Sequence, residues 1–223
     1  MRHLIITIDG PSGAGKSTMA RRLAETLGYT YLDTGAMYRA LAFASFKYGR
    51  DPEEIIGKVD LVFNFEKETK TLLEGEDISS AIRDPFISML ASEISKRPKV
   101  REFLKEMQRR FGKEGGIVAE GRDMGTVVFP EADVKFYLDA DPEERARRRY
   151  RELLERGKDV QYERIKEETM LRDKEDSERE LAPLVCPPDS VRIDTTHMSE
   201  EEVLKEMLRH IEERVWKSSR QGT

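Results

Sequence analysis

Gly10-Pro11-Ser12-Gly13-Ala14-Gly15-Lys16-Ser17, followed by Thr18, is the stretch whose reading decides the fold of this chain. Before it runs Leu4-Ile5-Ile6-Thr7-Ile8-Asp9, short and apolar enough for a fully buried strand. After it, Met19 to Leu27 carries apolar residues at helical spacing and stops at Gly28. Strand, glycine loop and helix in that order make G-x-x-x-x-G-K-S a phosphate-binding loop rather than a chance match. Gly10, Gly13 and Gly15 can take backbone angles barred to other residues, so successive N–H groups turn inward toward phosphate oxygens. The positive end of the following helix points at the same place. Lys16 supplies a charge for the β- and γ-phosphates, and the Ser17 hydroxyl a ligand for Mg²⁺. Pro11, Ser12, Ala14 and Thr18 complete the expected ATP-contacting set. The plainer alternative, a glycine-rich turn with a solvated lysine, leaves the agreement of position, spacing and residue type unexplained.

Composition narrows the setting. A chain of 223 residues, 38% hydrophobic and 37% charged, suits one domain with an adequate core and a surface dense in both signs. A net charge of −5 argues against a general nucleic-acid or membrane binder. Cys186 is the one cysteine, so no intrachain disulfide can form, and a reducing cytoplasm is the expected location. Residues 4–8 are too few for a signal or membrane segment and are needed as a strand. With no apolar stripe left over, a monomer is expected.

Outward from the loop, Tyr29 to Leu32 reads as a second strand and Ala36 to Tyr48 as a helix. From Val59 to Ile78 the character changes: Leu61 to Phe65, Thr71 to Leu73 and the turn Leu73-Glu74-Gly75-Glu76-Asp77 predict short antiparallel strands. Helices are expected over about 86–95 and 98–111, then strands at Ile117–Ala119, Val134–Leu138 and Val191–Ile193. Asp141, Pro142 and Glu144 form a capped helix start, with that helix running to about Gly157 and another over 161–175. Ser199 with Glu202 repeats the capping signature before a last helix, where Trp216 should pack and from Ser218 the tail should fray. The expected fold class is α/β, a P-loop NTPase fold with a central parallel five-stranded sheet flanked by helices. One domain over 1–223 is expected, with its core at 1–58 and 96–223, a small antiparallel insert at about 59–95 and a short lid at about 155–162.

Three further clusters suit a second phosphorylated compound. Asp33-Thr34-Gly35-Ala36-Met37-Tyr38-Arg39 follows the second strand, and Glu120-Gly121-Arg122-Asp123-Met124-Gly125-Thr126 follows the third. Arginines at strand ends beside a phosphate loop can hold phosphate by bidentate contacts. Arg172, Asp176 and Arg179 stand four and three apart, one face of a helix. Spacing alone leaves that last group open to a second reading, a solvated helix laced with ion pairs.

The segments Gly10–Thr18, Tyr31–Arg39, Ala119–Pro130, Arg172–Arg179 with Ala182-Pro183-Leu184, and Asp194-Thr195-Thr196 resemble those of the bacterial cytidylate kinases. These are members of the nucleoside monophosphate kinase group, and the resemblance spans nearly the whole chain. It implies transfer of the ATP γ-phosphoryl to CMP or dCMP with Mg²⁺, and places the insert on the monophosphate side. By position, Arg39, Arg122 and Arg172 would hold the CMP phosphate. Asp176 with Arg179 would face the sugar, Ser92, Arg101 and Asp123 would read the base, and Thr34 would give the nucleotide a supporting contact. Some relatives carry Gly where Ser17 stands, so the metal would be held mostly through the phosphates.

Cytosine's exocyclic amine is a donor that suits the Asp123 carboxylate, while Arg101 and Ser92 can donate to O2 and N3. Uracil would set an oxygen against Asp123; the alternative role for that carboxylate is to orient Arg122. No side-chain nucleophile is required, because the attacking oxygen belongs to a phosphate whose second pKa is about 6. Lys16, Arg122 and Arg172 are therefore the expected catalytic groups, joined by one or more arginines from 145–149, with Arg145 and Arg149 the chosen candidates. Each of those can instead be part of a solvent-facing basic stripe. Kinases of another small acceptor such as UMP, AMP or shikimate, and a nucleotide-gated switch ATPase, are the competing readings.

Overall fold

A computed structural model of the protein describes residues 3–64 and 70–220. Phe65, the side chain of Trp216 and the end of the tail from Gln221 lie outside the described residues. The apolar runs form a parallel sheet of β1 (Ile5–Asp9), β2 (Thr30–Asp33), β6 (Ile117–Gly121), β7 (Val134–Asp139) and β8 (Val191–Asp194), in the order β2-β6-β1-β7-β8. Its centre reads as continuous apolar sequence because both faces are covered. On one face α1 (Lys16–Leu27) and α8 (Glu200–Arg220) pack on Ile6, Ile8, Val118, Phe136 and Leu138. On the other, α2 (Thr34–Tyr48) and α5 (Pro98–Phe111) cover Leu32, Ile117 and Ala119. Each fully buried side chain of this size stabilises the fold by roughly 1.5–3 kcal/mol.

Residues 61–64 and 70–94 form the antiparallel sheet of β3 (Leu61–Asn64), β4 (Lys70–Leu73) and β5 (Glu76–Asp77), a 3-10 turn (Ala81–Arg83) and α4 (Pro85–Ile94). Phe63, Leu73, Ile78, Ile82, Ile87 and Ile94 share one apolar cluster with Met37 and Leu41 of α2. Among the described residues, this segment therefore shares the core of α2 rather than forming its own. The single-turn α3 (Pro52–Ile55), started by Asp51 and proline, had no periodicity to announce it.

α6 (Pro142–Glu155) and α7 (Tyr162–Glu178) form a hairpin whose connecting residues carry Lys158, which reaches Asp84 at the start of α4. The start signals of α6 are half borne out. Asp141 accepts from the N–H groups of Glu143 and Glu144, at 2.8 and 3.2 Å. Glu144 does not reciprocate: the Asp141 N–H donates to Thr196 Oγ1 at 2.9 Å, and Glu144 pairs with Arg148. At α8 the reciprocal box does form between Ser199 and Glu202. One sequence expectation fails on the surface. Phe46, Phe86 and Met89 are exposed, the two rings packed edge to face 5.2 Å apart, so some apolar surface is left over.

Candidate active site

All five parallel strands point their carboxyl ends at one cleft of about 920 Å³. The phosphate loop forms one wall. Gly13 and Gly15 take φ of 79° and 86°, and Gly15 caps α1 with no side chain over its first N–H groups. With no acidic residue in that first turn, the helix end is open to an anion. Gly10 (φ 147°) lies against the β7 backbone, where a Cβ would overlap the carbonyl oxygen of Leu138. Neither backbone can retreat without breaking the β1–β7 pairing of Asp9 with Tyr137. Gly10→Ala is therefore expected to cost about 3 kcal/mol. Urea unfolding reads this directly, and an unchanged midpoint would contradict the close approach.

Lys16 is buried, and its Nζ donates to the carbonyl of Pro11 at 2.6 Å. Burial first, and then the nearby Arg122, lower its pKa to about 7. At the end of β6 stands Glu120, for which sequence reasoning gave no role. It is buried and accepts from Ser17 Oγ at 2.7 Å and from the Tyr31 hydroxyl at 3.4 Å. Its sequence signal is its place at the head of the cluster Glu120 to Thr126, an acidic residue near the end of the strand beside the loop. A hydroxyl and a carboxylate at the lysine end of the loop are hard oxygen donors that fit Mg²⁺. Thr34 departs from expectation: its hydroxyl donates to the Glu120 carbonyl at 2.6 Å, so only lone pairs face the cleft.

The opposite wall concentrates guanidinium groups. Arg39, Arg101, Arg122, Arg172 and Arg179 line it with Asp123 and Asp176, and Ser92 of α4 lines it too. Arg122 Nε donates to Asp176 at 2.7 Å, so Asp176, not Asp123, orients that arginine. Burial would push the Asp176 carboxyl up, yet Arg122 and Arg172 together hold it below the ordinary range. Arg101 pairs with Asp123 and also donates to the Ser95 carbonyl at 3.2 Å. Burial leaves the Asp123 carboxyl above its ordinary range despite Arg101 and Arg179. Arg39 pairs with Asp33 at 3.2 Å. Arg172 is pushed down to about 10 by burial and then by Arg122, and its Nε has no partner among the described residues. Arg179 is not on the helix but just past it, capping α7, and still reaches Asp176 at 3.8 Å.

Of the arginines on α6, Arg149 lines the cleft and pairs with Glu152 at 2.7 Å. Arg148 also lines it, donating to Thr195 Oγ1 and to the Thr195 carbonyl at 3.0 and 2.6 Å. Arg145 does not line it. Its guanidinium is buried behind the loop, held by Ser12, Ala140 and Asp173. The expected reach of Arg145 into the cleft is thus corrected, because three acceptors draw it the other way. Gly10 and Pro11 are also behind the lining, whereas Ser12, Gly13, Ala14, Gly15, Lys16, Ser17 and Thr18 form it. Beyond them the cleft continues over Thr195 to Ser199, a loop in which sequence showed a family segment at Asp194-Thr195-Thr196 and a capping box at Ser199 but assigned no cleft role.

Comparison with known proteins agrees with this geometry. Solved structures of similar fold include a shikimate kinase from Bacteroides thetaiotaomicron, with a TM-score of 0.50 at 10% identity, covering 94% of this chain and 98% of that one. Another is an uncharacterized protein from Eubacterium ventriosum, with a TM-score of 0.52 at 13% identity, covering 95% of this chain and 99% of that one. At such identity the likeness concerns fold alone. Curated relatives are far nearer in sequence. The cytidylate kinase of Syntrophotalea carbinolica is 49% identical, covering 96% of this chain and 94% of the relative. That of Geobacter sulfurreducens is 47% identical with the same coverage of each. The family model described as cytidylate kinase matches residues 6–213, the phosphate loop and the arginine-bearing wall included, and the chain belongs to the cytidylate kinase family.

Proposed function

We propose that this protein transfers the γ-phosphoryl group of ATP to CMP or dCMP, giving ADP and CDP or dCDP. The observation that supports the reading is one cleft with a glycine loop and open helix N-terminus on one wall and clustered guanidinium groups on the other. The loop with Lys16 lies on one side, and Arg39, paired with Asp33, Arg122, paired with Asp176, and Arg172 lie on the other. A second reading, a nucleotide-gated switch, gives the second wall nothing to do.

In this reading Lys16 and the α1 N-terminus bind the β- and γ-phosphates of ATP, and Ser12 to Thr18 wrap them. Ser17 and Glu120 would hold Mg²⁺, largely through the phosphates; bound there, the ion neutralises charge on the donor. Arg39, Arg122 and Arg172 fix the acceptor phosphate in line with the donor, and Arg149 adds charge from α6. Asp176 and Arg179 face the sugar, while Ser92, Arg101 and Asp123 meet the base. No group need remove a proton, since the attacking oxygen is already ionised near neutral pH. Alignment and charge neutralisation in a water-poor site do the rest. The segment at about 59–95 serves as the monophosphate-side insert, and residues at about 155–162 as a lid that excludes water.

ADP release measured with ATP and Mg²⁺ against CMP, dCMP, UMP and AMP tests the reading. CMP or dCMP should be preferred, and ADP formation independent of any monophosphate would overturn it. The lysine gives a second test. With a pKa near 7 in the empty protein, Lys16 is largely neutral at pH 8. Phosphates arriving beside it restore the charged form, so ATP binding at pH 8 should take up protons. Calorimetry in buffers of different ionisation enthalpy reads that uptake, and a buffer-independent heat would refute it.

A further inference from the structure

The cleft leaves one largely buried ion pair unexplained, the buried Arg145 of α6 with the half-buried Asp173 of α7. Arg145 is only 4% exposed, and each end of its guanidinium has a different master. Nε donates to the Ala140 carbonyl at 2.9 Å, at the end of β7, and Nη1 donates to the Ser12 carbonyl at 3.0 Å, inside the phosphate loop. Nη2 pairs with Asp173 Oδ2 at 2.6 Å. The loop also rests on this residue's backbone: a Cβ at Gly13 would meet the Arg145 carbonyl oxygen at 2.9 Å and its Cβ at 3.0 Å. Asp173 adjoins Arg172 in sequence and lies one helical turn before Asp176, the two groups of α7 that face the cleft. Its other oxygen, Oδ1, is buried with no partner among the described residues, so Arg145 alone satisfies this carboxylate.

We propose that Arg145 and Asp173 form a positioning pair that fixes α7, and with it Arg172 and Asp176, relative to the phosphate loop. Neither side chain touches substrate. The pair makes the two walls one rigid unit, so that ordering the loop around ATP also orders the acceptor-binding face of α7. Binding of the two nucleotides is then cooperative, with the coupling passing through a single planar guanidinium. Arginine suits the task because its rigid planar fork presents separated donors to a loop carbonyl and a carboxylate in fixed directions, whereas a lysine ammonium is a compact charge on a flexible stem.

The proposal rests on the reading of the cleft as a site for ATP and CMP, and its test is separable from that reading. The wild-type protein must first bind CMP more tightly in the presence of a non-hydrolysable ATP analogue than in its absence. Titration calorimetry on the full chain gives both affinities for the wild type, Asp173→Asn, Asp173→Glu, Arg145→Lys and the Arg145→Lys/Asp173→Asn pair. Asp173→Asn keeps the shape and removes the charge. It should reduce the enhancement of CMP binding by the analogue at least fivefold, while binding of the analogue alone changes less than threefold. Asp173→Glu should restore part of the enhancement, and the double variant should lose no more than the worse single one. A general loss of packing would lower the melting temperature and weaken both ligands together without touching the enhancement. An Asp173→Asn protein that keeps the wild-type enhancement, or single effects that simply add, would overturn the proposal. Should Arg145→Lys not fold, Asp173→Asn and Asp173→Glu decide alone. A wild type that binds no CMP at all would instead refute the kinase reading.

Discussion

Lys16→Met should lower kcat by about 10³-fold, equivalent to about 4 kcal/mol of transition-state stabilisation, while leaving the fold intact or firmer. The methionine keeps the aliphatic stem and removes only the buried charge. Phosphoryl transfer asks the protein for charge placement more than covalent chemistry, so one lost charge beside the transferring group is costly. Stability should move the opposite way. Burial lowers the folded-state pKa of Lys16 from 10.5 to about 7. Between those values the unfolded chain holds a proton that the native state does not, so the group's penalty is full below about pH 7 and fades as pH rises toward 10.5. At pH 6–7 the variant should therefore melt no lower than the wild type. Steady-state kinetics with a thermal melt check both halves, and activity retained within tenfold would sink the assignment.

Asp123→Ala should narrow the preference for CMP over UMP by tenfold or more. The carboxylate is 5% exposed and held by Arg101, with Arg179 at 3.9 Å, so its position is set before any ligand arrives. Against cytosine's amine it finds a donor; against uracil's oxygen it faces a like dipole. Leaving such groups unmatched costs on the order of 1–3 kcal/mol each, more when charged. Removing the carboxylate ends that discrimination and also leaves Arg101 and Arg179 without their shared partner. CMP binding should therefore weaken as UMP catches up. The ratio of kcat/KM for the two nucleotides is the measurement, and an unchanged ratio in the variant would assign base reading elsewhere.

The elements that were legible in the sequence are those whose cause is local. Five apolar runs became five parallel strands, and Gly28 ended α1 in the left-handed conformation its position implied. Helix α2 began two residues early because Asp33 accepts the Ala36 N–H at 2.8 Å, a cap hidden inside a motif with other work. Less visible was the π-helical turn Met124–Val128. Its shape comes from distant partners: Asp9 receives the N–H groups of Met124 and Gly125, at 2.8 and 2.7 Å, and Arg109 donates to the carbonyls of Val127 and Val128. No window of sequence contains both ends of such contacts.

The site shows the same division. Strand ends and the glycine loop announced Lys16, Arg122 and Asp123, whereas helical spacing could not say which way a basic face turns. Arg145, Arg148 and Arg149 read alike on a helical wheel, yet one is buried behind the loop and two meet the cleft. Glu120 headed the cluster after the third strand without a role assigned to it, and its importance came from lying beside Ser17.

The crowding of guanidinium groups on one wall has a consequence for how long the molecule lasts. Arg39, Arg101, Arg122, Arg172 and Arg179 share their wall with fewer carboxylates, and burial there weakens the hold of Arg172 on its proton. Like charges held together out of water favour opening. Any phosphate-bearing ligand that settles among them binds the native form only, and shifts the folding balance by mass action. The protein's resistance to unfolding and proteolysis is thus tied to the nucleotide supply around it, sturdiest where its substrates abound and shortest-lived where they run out.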